Sequence, residues 1–193
     1  MKATSDTNKK TLMIGCGELK SKSDNTTYLD VLPYEGVDWV CDINEGIPMA
    51  EDNSFDEIIA NSVFEHIAET KTVLQECERV LKPGGKLKVY VPHFSNPYYY
   101  SDPTHITFYG LYTFNYLIDV PLFKRKVPNY GIIDGLHLVK ARFDFKGNSY
   151  VGVRFAKLFR SLANRKVSAM EFWERRLVWL FPVYGMSFEI EKK

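Results

Sequence analysis

The sequence predicts an α/β fold built on a mostly parallel sheet with helices on its faces. Three observations carry that expectation. Four short apolar runs, "TLMIG", "TYLDVL", "VDWVCDI" and "FDEIIANSVF", follow one another through residues 11–64, and the first three carry a glycine or an aspartate near their carboxyl ends. A helical period fills residues 68–81, and an alternating strand pattern follows at 86–93. Two further alternating runs, at 137–147 and 185–193, bring the count to seven strands. Strands separated by crossovers early in a chain, with an alternating pair late, describe a layered sheet and not a bundle.

Each element has a local reason. Residues 1–10 are polar and read as a disordered tail before the first strand. The stretch "ELKSKSDNT" (18–26) lacks the apolar period of a full helix, so the first crossover is a shortened loop with one helical turn. "TYLDVL" (27–32) and "VDWVCDI" (37–43) are rich in β-branched and aromatic residues, which suit a pleated surface. Over 68–81, Val73, Leu74, Cys77, Val80 and Leu81 recur at helical spacing. "KPGG" (82–85) then stops the helix, because proline cannot continue it and glycine accepts positive φ. Residues 94–137 are irregular and rich in Tyr, Phe, Pro, Asp and His, as a substrate-loop region would be. Between the sixth and seventh strands, Phe155, Leu158, Phe159 and Leu162 mark a helix inside an insertion at 147–185.

Composition bounds the class. A chain of 193 residues, 45% hydrophobic and 25% charged, suits one domain with a proper core. Aromatics, at 15%, crowd into 94–184 and favour a ring-lined pocket or cap. Cys16, Cys41 and Cys77 are odd in number, lack metal-ligand spacing and sit in or beside apolar runs, so they read as reduced, buried thiols of a cytoplasmic protein. The polar start carries no signal peptide, and the longest apolar run, "LVWLFPVYGM", is about half the roughly 20 residues a bilayer span needs. The insertion carries seven basic residues (Arg154, Lys157, Arg160, Arg165, Lys166, Arg175, Arg176) against Glu171 and Glu174. That is +5 in a chain of net charge +1, leaving −4 elsewhere. It reads either as a solvated helical face or as a cap for a phosphorylated, nucleotide-linked or membrane-bound glycan.

In open α/β sheets the ligand lies outside the carboxyl ends of the strands. Gly15-Cys16-Gly17, Asp30, Asp42 and Asn61-Ser62 converge there. Together with "FDEI", "EHI" and "LKPGG" at this spacing, "LMIGCG", "YLDV" and "DPTHITFY" resemble the class I S-adenosylmethionine-dependent methyltransferases, more narrowly the methyltransferase type 11 group. The resemblance covers residues 12 to about 120, and "LFPVYGMSFEIE" is similar to the usual ending. It implies one Rossmann-like methyltransferase domain with helices on both faces and an antiparallel last strand. It also implies S-adenosylmethionine as cofactor and S-adenosylhomocysteine as product. On that pattern Asp30 with Val31 takes the ribose hydroxyls, and Asp42 with Ile43 takes adenine. Gly15, Cys16 and Gly17, with Asn61, Ser62 and His66, take the methionine end. The chain departs from the wider pattern in lacking the third glycine of GxGxG.

Methyl transfer to a hydroxyl needs a base, and histidine is suited to it near neutral pH. His105 and His93, with Asp102, are the candidates, and Tyr98, Tyr99, Tyr100 and Phe108 are expected to wall the acceptor pocket. No metal is required. The expected acceptor is a small molecule or glycan, acting on oxygen and possessing anionic groups, with peripheral membrane contact left open. Two rivals remain: a nucleic-acid or protein methyltransferase or binder using the basic insertion, and a non-catalytic cofactor-binding subunit. "ANSVFEH" lacks the (N/D)PPY-type tetrad, and the overall charge is not basic, so no nucleic acid is expected.

Overall fold

The structure is a computed structural model that describes residues 9–128, 131–146 and 153–193. The first apolar run forms β1 (Thr11–Ile14), flanked by parallel partners β2 (Thr26–Asp30) and β4 (Phe55–Asn61). β3 (Trp39–Val40) lies outside β2. Beyond β4 come β5 (Leu81–Pro92), then the antiparallel β8 (Gly185–Lys192), β7 (Ile133–Asp144) and β6 (Ile118–Asp119). The described sheet order is β3-β2-β1-β4-β5-β8-β7-β6, which puts the carboxyl ends of β1, β2 and β4 side by side.

The pleat sorts the sheet into two faces. Leu12, Ile14, Leu29, Ile58, Ala60, Leu87, Val89, Met186, Phe188 and Ile190 share the apolar face and are buried. Helix α1 (Thr70–Val80) belongs to the same core through Val73, Leu74, Cys77 and Val80. It ends at Val80, where Leu81 turns extended, ahead of the predicted stop; Pro83 and Gly84, the latter at φ 76°, fall within β5. In its last turns Arg79 donates to the carbonyls of Ile47 and Ala50 and pairs with Glu76 and Asp52, while Glu76 accepts the Ile47 N–H. The pair staples the segment after Asp42 to the helix.

The opposite face carries Lys88, Tyr90, Ser187, Glu189, Lys140 and Arg142 in register. Lys88 and Lys9 converge on Glu57, and Lys86 pairs with Glu189. The helices predicted for both faces are therefore realised unevenly. This polar face meets α2 (Val153–Ala163) only at the β7 margin, where Arg160 pairs with Asp144. The loop at 15–25, which contains no helix, is one reason. α3 (Val167–Arg176) follows α2.

Several boundaries differ from the sequence reading: β5 starts at Leu81 and not at 86, and β7 spans Ile133–Asp144 and not 137–147. The sheet has eight described strands and not seven. The added β6 is two residues long and joins β7 through a register shift, too short to leave a periodic signal. The run at 37–43 pairs only over Trp39–Val40, because Asp42 caps a 3-10 turn at Ile43–Glu45. The expected tail falls mostly outside the described residues, as do residues 147–152 of the insertion.

Candidate active site

At the carboxyl ends of β1, β2 and β4 a cleft of about 400 Å³ is lined by Ile14, Gly15, Gly17, Leu29, Asp30, Val31, Tyr34, Cys41, Asp42, Ile43, Asn44, Ser62, Val63, His66 and Ile67. That volume lies within the range of small-ligand sites. Of the ten cofactor residues expected from the sequence, eight line it: Gly15, Gly17, Asp30, Val31, Asp42, Ile43, Ser62 and His66.

Asp30 organises one end. Its carboxylate is buried and accepts the Gly17 N–H at 2.7 Å and the Leu32 N–H at 3.0 Å. Each carboxylate oxygen has a further lone pair, so two vicinal hydroxyls could still be accepted from the cleft side. Asp42 accepts from the backbone and side-chain nitrogens of Asn44, both at 2.9 Å, which fixes the turn carrying Ile43. Ser62 stands at φ 54°, a left-handed conformation uncommon outside glycine and concentrated at functional sites.

Two expected cofactor residues are placed otherwise. Asn61 is registered against Tyr90, and its side chain lines a separate hollow on the polar face with Lys88, Lys140 and Arg142. Its neighbour Ala60 occupies the buried face, so strand alternation turns Asn61 away from the cleft. The cleft takes Val63 and Ile67 instead. Cys16 sits between the two glycines without lining the cleft, and burial first, then Asp30, push its thiol pKa up. Sequence reasoning did not select Tyr34 or Asn44, whose turn positions carry no periodic signal.

The loop after β5 is folded back against the cleft. The Glu65 carbonyl accepts the N–H groups of Ile106 and Thr107, and the Thr107 hydroxyl donates to the Ile67 carbonyl at 2.6 Å. His66 Nδ1 donates to the Thr104 carbonyl at 3.2 Å, with Thr104 Oγ1 at 3.0 Å. His105 Nδ1 donates to the Tyr99 carbonyl at 2.9 Å. In the neutral form both imidazoles therefore keep their lone pair on Nε2. The two rings lie 4.8 Å apart between centroids, so His105 stands one ring outward from the cofactor cleft.

Glu65 joins this pair. It is 1% exposed, its Oε2 has no partner among the described residues, and burial pushes its carboxyl above the usual range. Glu65, His66 and His105 each offer one ligating atom within 4.8 Å of the others, the one such group among the described residues able to hold a metal. The "FEH" turn gave no periodic cue to the burial of Glu65.

Asp102 accepts from the Thr104 N–H at 2.9 Å and its hydroxyl at 2.6 Å, and these bonds hold its carboxyl below the usual range. At 3.7 Å from His105 Nε2 it makes no hydrogen bond there, but it sets a negative charge beside the ring.

His93 is not available as a base. It is 0% exposed; the Ser95 N–H and hydroxyl meet Nδ1 at 3.1 and 2.8 Å, and Nε2 donates to Glu174 Oε2 at 3.1 Å. Its position at the end of β5 suggested the active edge, but the pleat directs it inward against Phe143. Burial holds its pKa below the usual value, against a smaller upward pull from Glu174. The folded state thus resists a proton that the unfolded chain takes up below about pH 6.5. Stability present above that pH is lost as pH falls toward the folded-state pKa. Thermal unfolding of His93→Gln should show a flatter decline between about pH 7 and 5 than the parent protein.

The expected acceptor wall divides. Tyr100 and Phe108 are exposed at 61% and 57% and lie 6.1 Å apart. Tyr99 is buried and supports them: its hydroxyl donates to the Thr107 carbonyl, and its ring contacts His105, Tyr100 and Phe108. Tyr98 faces another hollow, described below.

Known proteins share this fold. Residues 12–89 match the family model of a methyltransferase domain. Over 53 residues the chain is 42% identical to the ubiquinone/menaquinone biosynthesis C-methyltransferase UbiE of Desulfotalea psychrophila, a match taking in 27% of this chain and 21% of that protein. The structure superposes on a SAM-dependent methyltransferase from Archaeoglobus fulgidus with TM-score 0.60 and 16% identity, covering 96% of this chain and 86% of that one. It also superposes on phosphoethanolamine N-methyltransferase 2 of Haemonchus contortus in complex with S-adenosyl-L-methionine, with TM-score 0.56 and 14% identity over 99% of this chain and 50% of that one. The fold is the one these S-adenosylmethionine-dependent methyltransferases share. The family match covers residues 12–89, and the structural likeness extends the same fold over nearly all of the chain. Among the described residues no helix is long and apolar enough to cross a membrane.

The cleft fits that cofactor by its donors and its shape: an engaged carboxylate at one end, apolar Leu29, Ile43 and Ile67 between, and glycine backbone beside them. Asp30→Ala removes the acceptor of the Gly17 and Leu32 N–H groups and the carboxylate that faces the cleft. Calorimetry should show S-adenosylhomocysteine binding weakened by roughly 1–3 kcal/mol, the scale of a charge-assisted hydrogen bond.

Proposed function

We propose that this chain transfers the methyl group of S-adenosylmethionine to a hydroxyl of a small-molecule or glycan-type acceptor in the cytoplasm, with His105 as the base. The observation that carries the reading is the tautomer of His105: Nδ1 is committed to the Tyr99 carbonyl, and the ring rests against His66 at the cleft wall. The cofactor, when bound, supplies a methyl already activated by sulfonium. Asp30, Asp42 and Ile43 hold its ribose and adenine, and the backbone at Gly15, Gly17 and Ser62 approaches its methionine end. His105 Nε2 takes the hydroxyl proton, and Asp102, 3.7 Å away, stabilises the imidazolium that forms. Tyr100 and Phe108 offer exposed ring faces on which a sugar can lie. Alignment of oxygen, methyl and sulfur supplies much of the rate.

The test supplies methyl-labelled cofactor with sugar nucleotides and acidic glycans, and follows label into product. Label in a base-stable ether, dependent on His105, supports the reading. Label entering RNA or protein in preference overturns the acceptor class.

A further inference from the structure

The helical insertion does not bury its apolar stripe. Ala156, Phe159 and Ala163 turn α2 toward the core, whereas Phe155, Leu158 and Leu162, at i, i+3 and i+7, are 58%, 48% and 48% exposed. Trp179 and Leu180, in the segment whose Phe181 ring meets Phe159 of α2, are each 73% exposed, and Phe172 of α3 is 57% exposed. Phe155, Phe159 and Phe181 form a continuous ring series, with centroids 6.3 and 4.8 Å apart. Phe159 and Phe181 border an apolar hollow of about 340 Å³ that also takes in Tyr98, Phe145 and Pro182.

Charge is sorted just as sharply. Both acids of the insertion face inward: Glu171 accepts from the Tyr112 hydroxyl, and Glu174 accepts from the Leu111 N–H and from His93. Arg160 is paired with Asp144. Lys157, Arg165, Lys166, Arg175 and Arg176 are exposed, and none pairs with a carboxylate among the described residues.

An exposed aromatic and aliphatic surface flanked by unpaired cations matches an anionic lipid bilayer in both polarity and charge. We propose that α2, α3 and the segment Trp179–Phe181 form a docking surface for an anionic membrane. Phe155, Leu158, Leu162, Trp179 and Leu180 enter the acyl boundary, and the five free cations meet the headgroups. The hollow beside Phe159 opens to this surface and gives an acyl segment a place to lodge. Docking brings the exposed rings of the loop after β5 toward the membrane, where a lipid-linked acceptor would be presented. A second copy of this chain suits the surface poorly, because two +5 faces would repel.

The experiment measures sedimentation of the full chain with vesicles of phosphatidylcholine alone and with added phosphatidylglycerol, at low and high salt. Partition into the anionic vesicles should exceed that into the neutral ones by about tenfold or more and fall with salt. Trp179→Ser with Leu180→Ser should lower it by about tenfold. Arg165→Glu with Lys166→Glu should do the same without opening the core, since both side chains are exposed. Both variants should retain S-adenosylhomocysteine binding, which separates this proposal from the reading of the cleft. Equal partition into both vesicles, or none into either, overturns it. A dimer in sedimentation equilibrium that Trp179→Ser with Leu180→Ser dissociates would also overturn it, assigning the surface to a second copy.

Discussion

Replacing His105 with glutamine is expected to lower turnover by about 10²–10⁴, the range over which a positioned general base contributes. Glutamine preserves a polar side chain of similar reach but cannot take up a proton. Four contacts set His105 up for this role. The Tyr99 carbonyl fixes the Nδ1 proton, Tyr99 and His66 hold the ring from two sides, and Asp102 lies 3.7 Å from the free nitrogen. Binding of S-adenosylhomocysteine should be unchanged, because His105 lies outside the cleft. Near-normal rates in the variant would mean that alignment alone carries the transfer and that His105 is a structural support for the loop.

Gly15→Ala is expected to destabilise the fold by roughly 2–4 kcal/mol, combining a left-handed backbone penalty with local overpacking. Gly15 sits at φ 64°, and a Cβ there would fall 2.3 Å from Val63 Cγ2. At this chain length the loss corresponds to a thermal midpoint lower by roughly 5–15 °C. Val63→Ala should recover part of it, since the clash is with that side chain, and a double-mutant cycle would show the coupling. Gly17 provides the contrast: it also has positive φ, 60°, but a Cβ would meet nothing within 4 Å. Gly17→Ala should cost about 1 kcal/mol of stability from its backbone alone, with its larger effect on ligand binding, because Gly17 lines the open cleft. Both glycines line the cleft, but only Gly15 also has a side chain packed where its Cβ would be.

Much of this site was legible because strand ends announce themselves. Gly15, Asp30 and Asp42 close apolar runs, and the sheet order brings those ends together. α1 was legible because Val73, Leu74, Cys77 and Val80 share one face and a proline follows. Side-chain direction was harder to read. Asn61 and His93 both lie at carboxyl ends of strands, yet alternation sends one to the polar face and the other into the core. Counting parity from Ala60 and Val91 would have placed both. The helix at 153–163 was readable as a helix, but not the side it buries. Its apolar residues form two stripes, and Ala156 and Ala163 win the core because their small side chains let α2 approach closely. Glu65 left no pattern at all. Its burial follows from how a distant loop folds over the "FEH" turn.

Calorimetric titration of the full chain with S-adenosylhomocysteine tests the central claim most directly. The cleft at the ends of β1, β2 and β4 should bind it with a Kd in the micromolar range, about −7 to −8 kcal/mol, and raise the thermal midpoint. A folded protein giving neither heat nor a thermal shift at millimolar ligand would contradict the account.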